Sequence, residues 1–485
     1  MIIFREMALR IPYLHIALIL SLLVLLSSCS SLDENLPPTV PVIISGTDSA
    51  GVDQAVEIVV VAEDPEGGLL TYEIDWGDDR GIERIADIES GLYYTLLHHF
   101  FDPDIYHMRC RTIDDQGRPS SWSAPFRIAI GGTAAAVRGD WWMFMRDPQH
   151  SGQSPFVGPA SPVLAWTLET GSPLRSSVSY DSRGTLYFGG DNFQLQAYYG
   201  DGTKKWSYST GSARISNTPA LGLDGALYFG SSSANIYRIN RSGIKDWNYS
   251  VKSPIQFSNA VIDSEGRVYI GSEDHSIYCL SAEGMRIWEL FTNGSVHGSP
   301  ALSRDEKFIY CGSDDQLLYC VDRAGVLQWT YATAAPIIGS PSVSPNGNII
   351  FGSGDQFLYA LTPEGSLLWK RDLRAPIHTP PAITPIGNIS VATSAGLLFL
   401  LQSDGTVLWD TRFAASAGRG SPVLDILGNA YIGSPDGILT AISSTGQILW
   451  RYDTEFPINA TASIGPDGGI AVGNDKGTLY VLRER

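Results

Sequence analysis

The stretch Ile309–Trp329 reads IYCGSDDQLLYCVDRAGVLQW. It holds two of the chain's five cysteines, a pair of aspartates and a tryptophan, the parts of a redox or metal site. Its surroundings argue for something else. Tryptophans stand at 166, 206, 247, 288, 329, 369, 409 and 450, at intervals of 40 or 41 residues. All but the first follow a glycine by four residues (Gly202, Gly243, Gly284, Gly325, Gly365, Gly405 and Gly446), so G-x-x-x-W recurs in register. A fixed period of this length marks a repeat architecture in which each copy is one supersecondary unit.

Within each period the same order returns. A Ser-Pro start opens a short run, as in Ser299-Pro-Ala-Leu, Ser340-Pro-Ser-Val and Ser421-Pro-Val-Leu. A second run ends in Gly-Ser, as in Leu227-Tyr-Phe-Gly-Ser, Val268-Tyr-Ile-Gly-Ser and Ala430-Tyr-Ile-Gly-Ser. A third follows, as in Ile277-Tyr-Cys-Leu and Phe357-Leu-Tyr-Ala-Leu, and a glycine turn leads into the Trp strand. Four short strands per period make a propeller blade. The first Trp strand, near Val163–Leu168, precedes every other strand, and nothing follows the last third strand within 458–482. Placing that first strand on the outer edge of the final blade closes the ring and protects both sheet edges. The expectation is an all-β chain carrying an eight-bladed β-propeller over 163–485. A tryptophan at one position of every outer strand is expected to dock on the neighbouring blade, with a partner for its indole N–H. In this reading IYCGS and LLYCV are two strands of one blade. Cys311 stands where Phe229 and Ile270 stand in sister copies, Cys320 stands where Ala360 does, and Cys279 holds that column one blade earlier. Small apolar core positions suit a free thiol, and a local Cys311–Cys320 disulfide is the alternative.

This pattern resembles the PQQ-like repeat family, and WWMFMRDPQHSGQSP (141–155) resembles the lead-in before such propellers. The family includes quinoprotein dehydrogenases and propellers without cofactor. The resemblance to the dehydrogenases implies a quinone against a tryptophan, under a disulfide of adjacent cysteines, beside a calcium held by carboxylate and amide ligands. Here eight of the 12 tryptophans are in the repeat, and Trp76, Trp122, Trp141 and Trp142 precede the propeller. No Cys-Cys pair occurs, and His275, His297 and His378 belong to separate blades. No cofactor, no metal, no catalytic residue and no enzymatic activity are therefore expected.

Positions that repeat serve the blade, and positions that vary are free to serve a partner. One column is nearly constant in its hydroxyl: Ser177, Thr218, Ser258, Ser299, Ser340, Ser421 and Thr461, with Pro380 the exception. Two residues earlier lies a varied column of Arg175, Ser216, Gln256, His297, Ile338, His378, Arg419 and Asn459. It precedes each innermost strand, where a central channel should open, and it contains no acid in a chain with 51 Asp+Glu. A ring of this composition suits an acidic peptide or another anion; an ordinary solvated loop is the competing reading.

The N-terminus carries Arg5 and Arg10, an apolar run Ile11–Leu26, and Leu26-Ser-Ser-Cys29. That is a secretory signal, and its end resembles the bacterial lipobox, which implies cleavage after residue 28 and lipidation of Cys29. Ser30, in place of Asp, implies the outer membrane. After a tether (29–37), short alternating runs bounded by turn residues fill 38–130 and predict a β-sandwich. YEIDWGDD (72–79) and HHFFDPDIY (98–106) resemble PKD-type immunoglobulin-like domains, with Asp104-Ile105 departing from the usual glycine. His98 and His99 are neighbours on a strand and face opposite sides, so a shared metal is not expected there. Asp75, Asp78 and Asp79 are expected as turn residues instead of calcium ligands. A linker and lead-in (131–162) joins sandwich to propeller.

A net charge of −18 makes nucleic acid an unsuitable partner. The remaining cysteines, Cys110, Cys279, Cys311 and Cys320, have no zinc-knuckle spacing. The reading is a monomeric lipoprotein at the outer membrane, on its periplasmic face or at the cell surface, touching the membrane through its lipid only. It binds or scaffolds a protein partner without catalysis. The propeller lipoproteins of the outer-membrane β-barrel assembly machinery share the anchor and the blades, which implies a role in outer-membrane protein assembly. Adhesion or glycan binding at the cell surface is the alternative.

Overall fold

The computed structural model describes residues 35–485 except 48, 51–53, 79–80, 101–104, 124, 131–140 and 183. The expected signal peptide 1–28, Cys29, the tether to residue 34, Asp79, Asp104 and the start of the linker lie outside the described residues. The chain divides into two compact units at Ile130/Gly131. Strands and turns build both, and no helix occurs among the described residues.

In the first unit Val42–Gly46, Ala55–Val61 and Tyr94–His99 form a three-stranded sheet. Ser49–Ala50, Phe126–Ile130, Ile105–Ile113, Leu69–Asp75 and Ile82–Glu89 form a five-stranded one. Alternation buries Val56, Ile58 and Val60 from the first sheet against Tyr72, Ile74, Trp76, Met108, Cys110 and Ile128 of the second. Glu73 is buried on this second sheet, with Arg111 Nε 2.7 Å from one oxygen and Arg84 on the other. Burial raises its pKa, but the two guanidiniums outweigh burial and hold the carboxyl below its ordinary range. His98 stacks on Trp76 with ring centroids 4.4 Å apart and contacts Asp78 at 2.9 Å. Asp75 pairs with Arg109 at 2.9 Å and accepts the Gly77 N–H, so its oxygens serve the strand and its turn.

The second unit contains eight four-stranded antiparallel sheets. The first is Ser179–Tyr180, Leu186–Gly189, Gln194–Tyr198 and Lys204–Ser209. The following sheets begin at the two-residue strands Ala220–Leu221, Val261–Ile262, Ala301–Leu302, Ser342–Val343, Ala382–Ile383 and Val423–Leu424. The eighth is Ser463–Ile464, Ile470–Gly473 and Thr478–Glu484, completed by Pro162–Glu169 from the other end of the unit. Trp166 there pairs with Val481 just as Trp206 pairs with Ala197 in the first sheet. Each sheet buries its three inner strands and exposes its outer strand in alternation, the arrangement of a β-propeller.

Each tryptophan's indole reaches into the next sheet. Trp206 Nε1–H donates to the Arg241 carbonyl, Trp247 to Ala282, Trp288 to Arg323, Trp329 to Pro363, Trp369 to Ser403 and Trp409 to Ser444, all at 2.8–3.0 Å. Trp166 of the eighth sheet donates to Gly200 of the first, and Trp450 of the seventh donates to Pro159, just ahead of the closing strand. The conserved-in-register glycine receives the preceding repeat's ring. A Cβ on Gly284 would lie 2.6 Å from Trp247, and one on Gly325 2.6 Å from Trp288. These glycines also hold φ near +83° and +86°, so both space and backbone require them.

Cys110, Cys279, Cys311 and Cys320 are free and buried. Cys311 pairs with Tyr319 and Cys320 with Tyr310, one register step apart. Strand alternation therefore sends the two thiols to opposite faces, Cys311 into the core toward the third sheet and Cys320 toward the fifth. The alternative of a local disulfide is corrected by this register. Burial raises the Cys320 thiol to about 12 and Cys311 above that. Asp315, in the hairpin turn, holds Tyr319 by its hydroxyl at 2.6 Å.

Candidate functional site

The segment leading into each innermost strand is anchored on the sheet before it. Ile215 N–H donates to the Gly190 carbonyl, Ile255 to Ser231, Val296 to Ser272, Ile337 to Ser313, Ile377 to Ser353, Ala417 to Ser394, Ile458 to Ser434 and Leu174 to Asn474. A ladder of polar contacts then binds neighbouring segments to each other. Thr218 N–H donates to Asn259 Oδ1, Asn259 N–H to Ser299 Oγ, Ser299 N–H to Ser340 Oγ and Ser421 N–H to Thr461 Oγ1. The repeated hydroxyl column is thus the inner seam of the ring.

Inside that seam lies a cavity of about 600 Å³. Arg175, Ser216, His297, Ile338, His378, Arg419 and Asn459 line it, as the sequence column anticipates. Gln256 is the exception. Its amide faces Glu273 at 3.5 Å, outside the lining, and Phe257 takes its place. Ser258 is likewise displaced by Asn259 in the hydroxyl column, since Ser258 Oγ accepts Gly271 N–H as Ser176 accepts Gly189 N–H. The physical reason is an insertion. From anchor to inner strand, Ile255 to Val261 and Ala417 to Val423 are one residue longer than Ile215 to Ala220 or Val296 to Ala301.

The other end of the inner strands is covered by the lead-in. Trp141 and Trp142 carbonyls accept from Tyr180 and Leu221, and Pro148, Gln149, Ser151 and Gly152 accept from Leu302, Val343, Ile383 and Leu424. This segment crosses sheet after sheet and sends Phe144 into the cavity lining. His150 within it is fully buried, its Nδ1 2.9 Å from the Pro341 carbonyl, and burial lowers its pKa to about 4.

Acids that the sequence column missed stand just outside the lining. Asp191 and Asp475 flank Arg175 at 3.4 and 3.6 Å, Asp314 lies 3.1 Å from His297, and Asn459 donates to Asp475 at 2.8 Å. They come from the hairpin that follows each second strand, and their signal was the acid after the run-ending Gly-Ser or its equivalent: Asp191, Glu273, Asp314, Asp475. Arg419 and His378 have no ion-pair partner among the described residues. The Arg419 guanidinium lies 3.8 Å over the Phe257 ring. Burial and then the Arg175 charge lower its pKa, and burial and then Arg419 lower that of His378.

The lining contains no Asp, Glu, Cys or Trp. A hard cation needs several oxygen ligands, and among the described residues no cluster of His, Cys, Asp or Glu has the arrangement to hold a metal. The residues present do not fit a quinone stacked on tryptophan beside a calcium.

Comparison with known proteins adds to this geometry. No curated protein matches the chain in sequence. The fold is similar to the crystal structure of BamB from Moraxella catarrhalis (TM-score 0.57, 16% identity), over 67% of this chain and 98% of that one. It is also similar to a europium-containing methanol dehydrogenase (TM-score 0.62, 12% identity), over 71% of this chain and 98% of that one. A quinohemoprotein alcohol dehydrogenase from Pseudomonas putida HK5 gives TM-score 0.59 and 13% identity, over 71% of this chain and 80% of that one. The family model described as outer membrane protein assembly factor BamB matches residues 121–325, 255–343 and 314–464, together more than half of the chain. The chain belongs to that family of PQQ-like repeat propellers.

Proposed function

We propose that this chain is a non-enzymatic scaffold of the bacterial outer membrane, its propeller serving as a platform for a protein partner in outer-membrane protein assembly. The family match is the observation that carries the reading. The cavity lining supports it from the other side, because its residues suit neither the quinone nor the metal of the dehydrogenases that share the fold. In this reading the eight sheets are eight blades, the first unit is a PKD-like sandwich at 38–130, and Cys29 carries the lipid. The partner is expected from pull-down with the intact lipoprotein: co-purification of outer-membrane assembly components supports the platform, and their absence removes it. Dye-linked oxidation of alcohols or sugars after adding quinone and Ca²⁺ is expected to stay at background, and activity there would overturn the non-enzymatic reading.

One observation favours a second reading. The family match begins at residue 121 and leaves the three- and five-stranded sheets almost wholly unmatched. An added β unit on a lipid anchor suits surface adhesion or glycan binding. Protease treatment of intact cells separates the two: protection of the propeller fits the periplasmic scaffold, and shaving fits the surface.

A further inference from the structure

Phe257 and Arg419 sit on the two segments that are one residue longer than the rest. These segments lead into the third and seventh of eight sheets, four sheets apart in either direction around the ring. Their side chains nevertheless meet, with the guanidinium carbon 3.8 Å from the ring centroid. The insertions let two opposite loops reach across the channel mouth and join there. The lead-in and Phe144 cover the other end, so the space between is a cup.

The charge inside the cup is unbalanced. Arg175 lies between two carboxylates, Asp191 and Asp475, and His297 contacts Asp314. Arg419 is not compensated, and no carboxylate lines the cavity. Arg419 is exposed at the mouth, so its charge is open to an anion arriving from solvent, and a hydrogen bond to an ionised partner is among the stronger ones. The guanidinium carbon lies over the Phe257 ring. Its N–H groups meet no hydrogen-bond partner among the described residues, and that planar fork matches a carboxylate in a bidentate pair. The carboxylates of Asp191, Asp475 and Asp314 around the ring disfavour a second negative charge, so a monoanion suits this fork better than a dianionic phosphate.

We infer that the channel cup is a receptor for a single carboxylate group, received on the N–H edge of Arg419 that Phe257 holds across the mouth, beside His378 and Arg175. A peptide's terminal carboxylate and a small free carboxylic acid share this chemistry. The inference deepens the platform reading and rests on it for the kind of partner, but it fails separately, because its test uses the purified chain and defined probes.

The test is calorimetric titration of the full mature chain with a short neutral peptide ending in a free carboxylate, its C-terminally amidated twin, butyrate and inorganic phosphate. Saturable binding of the free-acid peptide or of butyrate is expected. Loss on amidation assigns the site to a chain terminus, and binding of butyrate alone assigns it to a small acid. Arg419→Gln is expected to weaken the bound carboxylate by about tenfold or more, and Arg419→Lys nearly as much, since it keeps the charge and loses the fork. Phe257→Leu is expected to weaken it by about threefold through lost preorganisation. Both side chains lie at the mouth, so the thermal midpoint of each variant, measured in parallel, is expected to stay near that of the parent. No binding of either carboxylate probe, equal affinity in Arg419→Gln, or tighter binding of phosphate than of both carboxylates would overturn the inference.

Discussion

The rim and the mouth of the propeller use the same repeat in opposite ways. At the rim one interaction recurs around the ring: a tryptophan lies on the next sheet's glycine and donates to a carbonyl two residues before it. At the mouth the equivalent positions are arginine, serine, phenylalanine, histidine, isoleucine, histidine, arginine and asparagine. Sameness at the rim follows from a shared mechanical task, the joining of sheets. Diversity at the mouth is free because the seam of hydroxyls beneath it already holds the loops.

If the rim carries the stability, breaking it should cost the most. Trp288 is the most buried of the docking rings, 9% exposed. Trp288→Ala removes its contact with Gly325 and its hydrogen bond to Arg323, and a loss of about 3–5 kcal/mol is expected in denaturant unfolding. Gly325→Ala attacks the same joint from the other side. It forces a Cβ against the indole and a positive φ onto alanine, and about 2 kcal/mol is expected. Together the two changes should cost clearly less than their sum, because both empty one contact. Strict additivity would mean that the glycine serves its turn alone.

The lead-in offers an intermediate case, since it belongs to neither rim nor mouth and joins the inner strands. His150 is buried and neutral, with its pKa lowered from 6.5 to about 4. A depressed histidine pKa means that the unfolded chain binds the proton more readily. Its stabilising effect is therefore complete above pH 6.5 and declines as pH falls toward 4. Over that window the decline amounts to about 3 kcal/mol if no other group compensates. Thermal unfolding followed from pH 7.5 to 4.5 should show it, and His150→Gln should flatten the profile. An unchanged slope in that variant would place the acid sensitivity elsewhere.

The sequence made the rim legible because tryptophan and glycine are chemically conspicuous and never slip. The partnership between them was less so: G-x-x-x-W invites the view that each glycine turns the chain toward its own tryptophan, whereas each receives the tryptophan of the repeat before. The mouth was legible where a Ser-Pro or Thr-Pro pair pinned the count. Ser421-Pro422 kept Arg419 in the right column despite the inserted residue. In the third repeat Asn259-Ala260 stands in that place, and Ser258 supplied a hydroxyl one residue early. Counting back from it points to Gln256 in place of Phe257. The flanking acids are not legible in that column because they belong to a different loop, which only the packing of one sheet's hairpin against the next sheet's entering segment brings to the ring.

That slip gives the smallest and sharpest test of the comparison. The Arg419 guanidinium carbon lies 3.8 Å from the Phe257 ring centroid, so the guanidinium proton resonances should be displaced by the ring current. Phe257→Leu should remove that displacement, and Gln256→Ala should leave it. Neither change should cost more than about 1 kcal/mol, the scale of an exposed cation–π contact. A small energetic effect with a large local one is what separates a mouth residue from a rim residue. If Phe257→Leu instead cost as much as Trp288→Ala, the long loops would belong to the ring's fabric, and the contrast between a uniform, stabilising rim and a varied, recognising mouth would fail at the position where it is most specific.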